Sequence, residues 1–314
     1  MKSRAYCFTL LLAIVISNTA NLPAQAQRAR VFVSVAGNDS NPCTAGSPCK
    51  TFQHAHDVVL AGGEISVLDT GGYGILTITK AVSIVAVGVQ ASIATTSGNT
   101  GIIINAGSTD NVSLRGLTLD GAGGGENGIL FNTGLSLTVE DCVVRNMTQF
   151  GLFLAPTVAS SLGVSNSHFD DNGSVGILIQ TESANAVTVA IDRTTFYDNA
   201  GAGLAANGEF GTGALNVAVT DSSAAHGNFG FVVASAAGQS VTSLSLTHTL
   251  AEGNSNAGVR ALGTNSTLWL AQSTVTGNTA SFDVESGGVI NSYGDNYFSA
   301  NGAPIGSLST ATKQ

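Results

Sequence analysis

Through the middle of the chain one hydrophobic pattern recurs. Short alternating stretches such as "LGV" (162–164), "VAI" (189–191), "LSL" (244–246) and "LWL" (268–270) lead toward a polar turn containing asparagine. The asparagines are Asn146, Asn172, Asn199, Asn228, Asn254 and Asn278, separated by 26, 27, 29, 26 and 24 residues. Three residues before them lie Val143, Phe169, Phe196, Ala225, Ala251 and Val275, all apolar. Six before lie the polar Glu140, Asn166, Arg193, Ser222, His248 and Gln272. After most of them comes a glycine and a second alternation, as in "GLFL" (151–154), "GILI" (176–179) and "GFVV" (230–233).

Alternation with period two predicts strands with one side chain in and the next out. Each period holds three short strands and three polar turns, with no helical segment between them. A unit of this size can bury its inward face only by stacking on its neighbours, which makes the chain an all-β parallel solenoid. From about residue 63 to 300 this period allows roughly nine rungs. The six asparagines then form a structural ladder at the strand spacing of about 4.8 Å, their amides bonding to one another and to turn backbone.

The two ends read differently. Residues 1–26 carry Lys2 and Arg4, a short apolar core, "CFTLLLAIVI", and the small-x-small run Ala24-Gln25-Ala26, the pattern of a secretory signal peptide. The mature chain is expected to be secreted or periplasmic and to lack a membrane anchor. Residues 27–62 are expected to supply a strand, a disulfide loop and a capping helix, 63–302 the solenoid, and 303–314 a tail. In an exported chain Cys43 and Cys49, which bracket "CTAGSPC", are read as a local disulfide. Zinc would need further Cys or His at ligand spacing, and none is expected nearby. Cys142, in "LTVEDCVV", is read as a buried free thiol on an inward strand position.

Charge narrows the partners. Without the first 26 residues, 9 basic residues face 20 acidic ones, a net charge of −11. That balance argues against nucleic acid and anionic membranes. Charged residues are only 10% of the chain, well under the roughly 25% of ordinary domains, so the surface must be built of Ser, Thr, Asn and Gly.

The repeat resembles the right-handed parallel β-helix of pectin-lyase-like proteins. The stretch "VFVSVAGNDSNPCTAGSPCKTFQHAHDVVLAGGEISVL" (31–68) is similar to the opening of exported bacterial members, and "VINSYGDNYFSANG" (289–302) to their last rung. The resemblance implies a short N-terminal capping helix, near Thr51–Leu60, with Phe52, Ala55 and Val59 on its inner face. His54 and His56 would lie on its polar side, pointing apart, so no metal pair is expected there.

Aligned on the asparagines, Asp171 and Asp198 take the same place on neighbouring rungs, about 5 Å apart. Carboxylates that close share a proton and raise one pKa, as in an acid/base or nucleophile pair. In β-helix polysaccharide hydrolases an Asp-Asp pair precedes the strand lining the cleft, and "DDNG" is similar in placement. Asp171, Asp198, Asp170 and His226 are therefore the catalytic candidates, with Arg145 and Tyr197 as companions. The competing reading is that a repeated turn collects Asp, Asn and Gly for its backbone alone, and it is preferred here. The Gly-His-Gly and Arg-x-Lys segments of polygalacturonase-like hydrolases are missing, "HGN" (226–228) being the nearest approach. The acidic calcium site of pectate lyases is not evident either.

Two weaker sets complete the candidates. Glu182 and Glu209 form a second acidic column. Phe153, Leu178, Ala205, Val232 and Arg260 form an unusually apolar outer stripe, which is a sugar-stacking floor, a partner surface or a strip under loops. The substrate-binding candidates are thus Phe153, Leu178, Val232, Arg145, Tyr197, Glu182 and Glu209. No cofactor is expected; calcium stays open without a motif that calls for it. The first reading is a non-catalytic β-helix protein binding a polysaccharide or cell-surface glycan along one face. The alternatives are a polysaccharide hydrolase or lyase, and a structural or adhesive surface protein.

Overall fold

The computed structural model describes residues 28–313; the signal-peptide segment lies outside the described residues. The chain winds as a right-handed parallel solenoid with three sheets. The first sheet has 12 strands, from Arg28–Val33 to Ser309–Thr310, the second 10, from Gly71–Gly72 to Tyr297–Ser299, and the third 9, from Leu76–Ile78 to Ala280–Glu285. One rung shows the plan: Ser136–Glu140 in the first sheet, Val143–Arg145 in the second, Phe150–Leu154 in the third. The inward residues of successive rungs pack on each other, as Phe169 does on Phe196 with ring centroids 5.9 Å apart. Fully burying such a side chain contributes about 1.5–3 kcal/mol.

The glycine heading the third-sheet strands has a steric cause. A Cβ on Gly176 would sit 2.6 Å from the carbonyl oxygen of Gly203 one rung on, and one on Gly230 only 2.4 Å from that of Gly258. The rungs could not close to strand spacing there with any larger residue.

The N-terminal helix is Phe52–Val58, with the Thr51 hydroxyl accepting from the His54 amide. Asp39 clamps its start, accepting from the Lys50 and Thr51 amides at 2.8 and 3.0 Å and from the Thr51 hydroxyl at 3.0 Å. Phe52 and Ala55 are buried as expected. Val59 is buried too, but its ψ of 144° makes it the start of the strand Val59–Val67 and not part of the helix. His56 departs from expectation. It is buried, and its Nε2 accepts from the Thr79 amide at 3.2 Å. The inner face of so short a helix extends past Ala55, and the imidazole tip satisfies a backbone N–H of the first rungs.

The asparagine ladder is real but shifted. Strand pairing aligns Arg145, Asp170, Tyr197, Ala225, Glu252 and Thr276. Two residues on, the inward column reads Met147, Asn172, Asn199, Gly227, Asn254, Asn278 and Asn301. Asn199 Oδ1 accepts from the Asn172 amide N–H at 3.2 Å and from its side-chain amide at 2.9 Å. Asn278 does the same for Asn254, and Asn301 for Asn278. Asn146 lies one residue before this column and is exposed; Asn228 lies one after it and is half-buried. The same slip moves the apolar column to Val144 and Ala224, and the outer corner to Asp141 and Asp221, in place of Val143, Ala225, Glu140 and Ser222.

A second inward column was not foreseen. Cys142, Ser167, Thr194, Ser222, Thr249 and Ser273 are buried at the corner between the first and second sheets. The Cys142, Thr194 and Thr249 amides donate to the hydroxyls of Ser167, Ser222 and Ser273 on the next rung, at 3.0–3.1 Å. Cys142 is therefore a buried free thiol, as expected, but in a corner and not on a strand.

Candidate functional site

The aspartates of "DDNG" stand at the corner between the second and third sheets. Asn146, Asp171, Asp198, His226, Gly253, Gly277 and Ala300 share one corner position, all with φ between 52° and 67°. This left-handed conformation favours Gly, Asn and Asp, whose short side chains bond locally. Asp171 and Asp198 do occupy equivalent places on neighbouring rungs. His226 joins them, its Nδ1 3.8 Å from Asp198 Oδ1 and its ring 4.8 Å from that of Tyr197. Counting back from Asn228 would set His226 beside Asp170 and Tyr197; the register puts Ala225 there, because Asn228 is not a ladder residue.

Arg145 aligns with Asp120 and Asp170, not with Asp171. Its Nε is 2.9 Å from Asp120 Oδ2. Asp170 is the first carboxyl of the "DDNG" turn. It is half-buried, its Oδ1 has no hydrogen-bond partner, and its pKa is raised. Burial is the main cause; His168 opposes it, the adjacent Asp171 adds to it, and Arg145 opposes it.

The other candidates lie elsewhere. Phe153, Leu178 and Val232 line up on the outer face of the third sheet with Ile103, Leu130, Ala205 and Arg260, half-buried by one another. They are around the corner from Asp171 and Asp198. Glu182 and Glu209 are exposed in the loops beyond that sheet, with Glu182 Oε1 accepting from Gln180 at 3.1 Å. Cys43 and Cys49 form the disulfide. Contrary to expectation a further ligand type is nearby: His54 lies with both sulfurs in a group spanning no more than 4.8 Å. The disulfide engages both sulfurs, so this group offers no thiolates to a metal.

The face that sequence reasoning missed is the outside of the first sheet, where three columns run along the solenoid. One edge is Asn111, Ser136, Ser161, Thr188, Asn216, Ser243 and Thr267, and the centre is Ser113, Thr138, Gly163, Ala190, Ala218, Ser245 and Trp269. The other edge is Arg115, Glu140, Ser165, Asp192, Thr220, Thr247 and Ala271. The small central residues make a trough between one rim of hydroxyls and amides and another that mixes hydroxyls with Arg115, Glu140 and Asp192. A concavity of about 330 Å³ lies over Ser83, Ser113 and Thr138, and one of about 310 Å³ over Gly163, Ala190 and Ala218. A third, about 470 Å³, lies beside Trp269. The available signal was the residue between the apolar letters of "LGV", "VAI" and "LSL", which is small each time.

The arginines of the solenoid are engaged by acids. Arg115 pairs with Asp141 at 3.2 Å, Arg145 with Asp120, Arg193 with Asp192, and Arg260 with Asp283 and Glu285 at 2.9 and 2.7 Å. Several of these pairs stitch one rung to the next. Among the described residues no helix is long and apolar enough to cross a membrane.

Three stacked parallel sheets, inward Asn and Ser/Thr ladders and a long open trough define a parallel β-helix with an extended outer groove. The sequence matches the family described as "right handed beta helix region" over residues 51–190 and 100–280, and the chain belongs to that family. No curated protein sequence matches it. Among solved structures it is similar to pectate lyase Pel9A, with a TM-score of 0.65 and 17% identity over 92% of this chain and 79% of that one. It is also similar to a rhamnogalacturonan lyase (TM-score 0.53, 13% identity, 79% and 74% covered). A third is the lacto-N-biosidase of Eubacterium ramulus (TM-score 0.52, 9% identity, 91% and 67% covered). At these identities the likeness is one of fold.

Proposed function

We propose that this protein binds an extended polysaccharide along the outer trough of its first sheet, without cleaving it. The observation that carries the reading is the trough itself. Its small floor lets a sugar chain lie close to the backbone, and one rim, from Asn111 to Thr267, repeats hydroxyls and amides at strand spacing, suited to a polymer of repeated hydroxyls. The names of the fold neighbours, lyases of pectate and rhamnogalacturonan and a lacto-N-biosidase, support a glycan as the partner. The paired arginines favour binding over a lyase reaction, because a cation held by a neighbouring carboxylate is poorly placed to neutralise a uronate or take a proton.

A second reading rests on Asp170. A half-buried carboxyl with a raised pKa, beside His168 and Tyr197, has the character of a general acid in glycoside hydrolysis. In that reading Asp171, Asp198 and His226 assist from the corner.

The test is affinity electrophoresis in gels containing neutral and acidic polysaccharides, paired with a product assay. The variant Ala190→Arg/Ala218→Arg fills the exposed floor. It is expected to keep its circular dichroism and to lose retardation by at least tenfold in apparent affinity. Unchanged retardation would refute the trough. New reducing ends that vanish in Asp170→Asn would replace binding by hydrolysis.

A further inference from the structure

The chain contains a single tryptophan, and it points outward. Trp269 pairs with Ser245 on one side and Asn291 on the other, so it continues the central column Gly163, Ala190, Ala218, Ser245. Four rungs of about 4.8 Å separate it from Gly163, roughly 19 Å of trough floor without a large side chain. The floor then meets an indole.

Around this indole the chain builds a recess. Tyr293 stands with its ring centroid 6.0 Å from that of Trp269, tilted by 30°. The C-terminal segment returns as the last strand of the first sheet, Asn291 pairing with Ser309 and Ser292 with Thr310. The Ala311 amide donates to the Ser292 carbonyl at 2.9 Å, and Lys313 Nζ lies 2.7 Å from Asp295 Oδ2. So held, Thr310, Ala311 and Thr312 complete a concavity of about 470 Å³ with Trp269, Asn291 and Tyr293. None of these lining residues is charged, and Lys313, which follows Thr312, is paired with Asp295.

We infer that the Trp269 recess is a stacking subsite for a neutral pyranose ring of the bound glycan, at the C-terminal end of the trough. The proposal rests on the binding reading above and assigns to it a position and a sugar class. A pyranose presents an apolar C–H face and an equatorial fringe of hydroxyls. An indole meets the first, while an amide and threonine hydroxyls meet the second. A uronate would bring its carboxylate to uncharged walls in a chain that is already acidic, with no cation to receive it.

The lone tryptophan makes the test direct. Emission of the wild-type chain is followed while cellohexaose, xylohexaose and maltohexaose are added, with hexagalacturonate as the acidic comparison. At least one neutral oligosaccharide is expected to shift or quench the emission saturably, and hexagalacturonate to bind at least tenfold more weakly. Trp269→Ala should weaken that neutral oligosaccharide about tenfold by calorimetry, whereas Trp269→Phe keeps most of the affinity. A neutral sugar that binds with Trp269 emission unmoved and Trp269→Ala unaffected would overturn the subsite and leave the trough standing. Saturable quenching that survives Ala190→Arg/Ala218→Arg, with polymer retardation also unchanged, would keep the subsite and remove the trough. Silence toward every probe in both assays would overturn both.

Discussion

The register of the asparagine ladder yields the sharpest prediction, because the chain offers two asparagines that look alike in sequence and differ in place. Asn199 is buried; its Oδ1 accepts from the Asn172 amide and side chain, and its Nδ2 donates to the Phe169 carbonyl at 2.7 Å. Asn199→Ala leaves those partners facing a hole. A buried polar group without its partner costs about 1–3 kcal/mol, and Asn172 Nδ2 keeps a contact of 3.4 Å to the Val144 carbonyl. The loss should total about 3–5 kcal/mol, or a melting temperature lower by roughly 5–8 °C for a chain of this length. Asn228→Ala removes a half-buried side chain outside the ladder, and its cost should stay under about 1 kcal/mol. Thermal and urea unfolding by circular dichroism, with Trp269 emission as a second probe, measure both. Comparable losses for the two variants, or a larger one for Asn228→Ala, would refute the ladder as described.

Two further outcomes follow from ionisation. Because the Asp170 carboxyl is held above its ordinary value by burial, the folded chain binds that proton more tightly than the unfolded one. Its contribution is present below about pH 3.9 and is lost as pH rises through the folded value. Asp170→Asn should therefore raise the melting temperature at pH 7 and match the wild type near pH 3; equal shifts at both would contradict this. Burial pushes the Cys142 thiol up to about 11, so in the chain without residues 1–26 a thiol reagent at pH 8 should label nothing while folded and Cys142 in denaturant. Rapid labelling of the folded chain would show the corner to be open.

The fold was legible because its cause is periodic. A solenoid rung must return to the same inward face, and that requirement writes apolar alternation and polar turns into the sequence at every pass. Register was less legible, because asparagine is favoured for two different reasons at adjacent positions. At Asn146 it tolerates a left-handed backbone, with φ of 58°, while at Asn172 it supplies an amide to the ladder. Only strand pairing separates the two uses. The burial of His56 was hidden for a related reason, since it depends on the Thr79 amide, which belongs to a segment distant in sequence.

The candidate site was hidden by a more general property of repeats. In a β-helix the residues that carry chemistry are also those that corners select, so Asp171, Asp198 and His226 draw attention wherever the chain turns. Their left-handed φ angles account for all three without any reaction, since Asp and His are both enriched in that region. A binding face makes the opposite demand. It needs small side chains in the middle and short hydroxyls at the rims, which is the composition that Gly163, Ala190, Ala218, Ser161, Thr188 and Ser243 supply. Such residues look like filler one at a time. Only as columns, ending at the sole tryptophan, do they become a surface that a sugar chain can occupy.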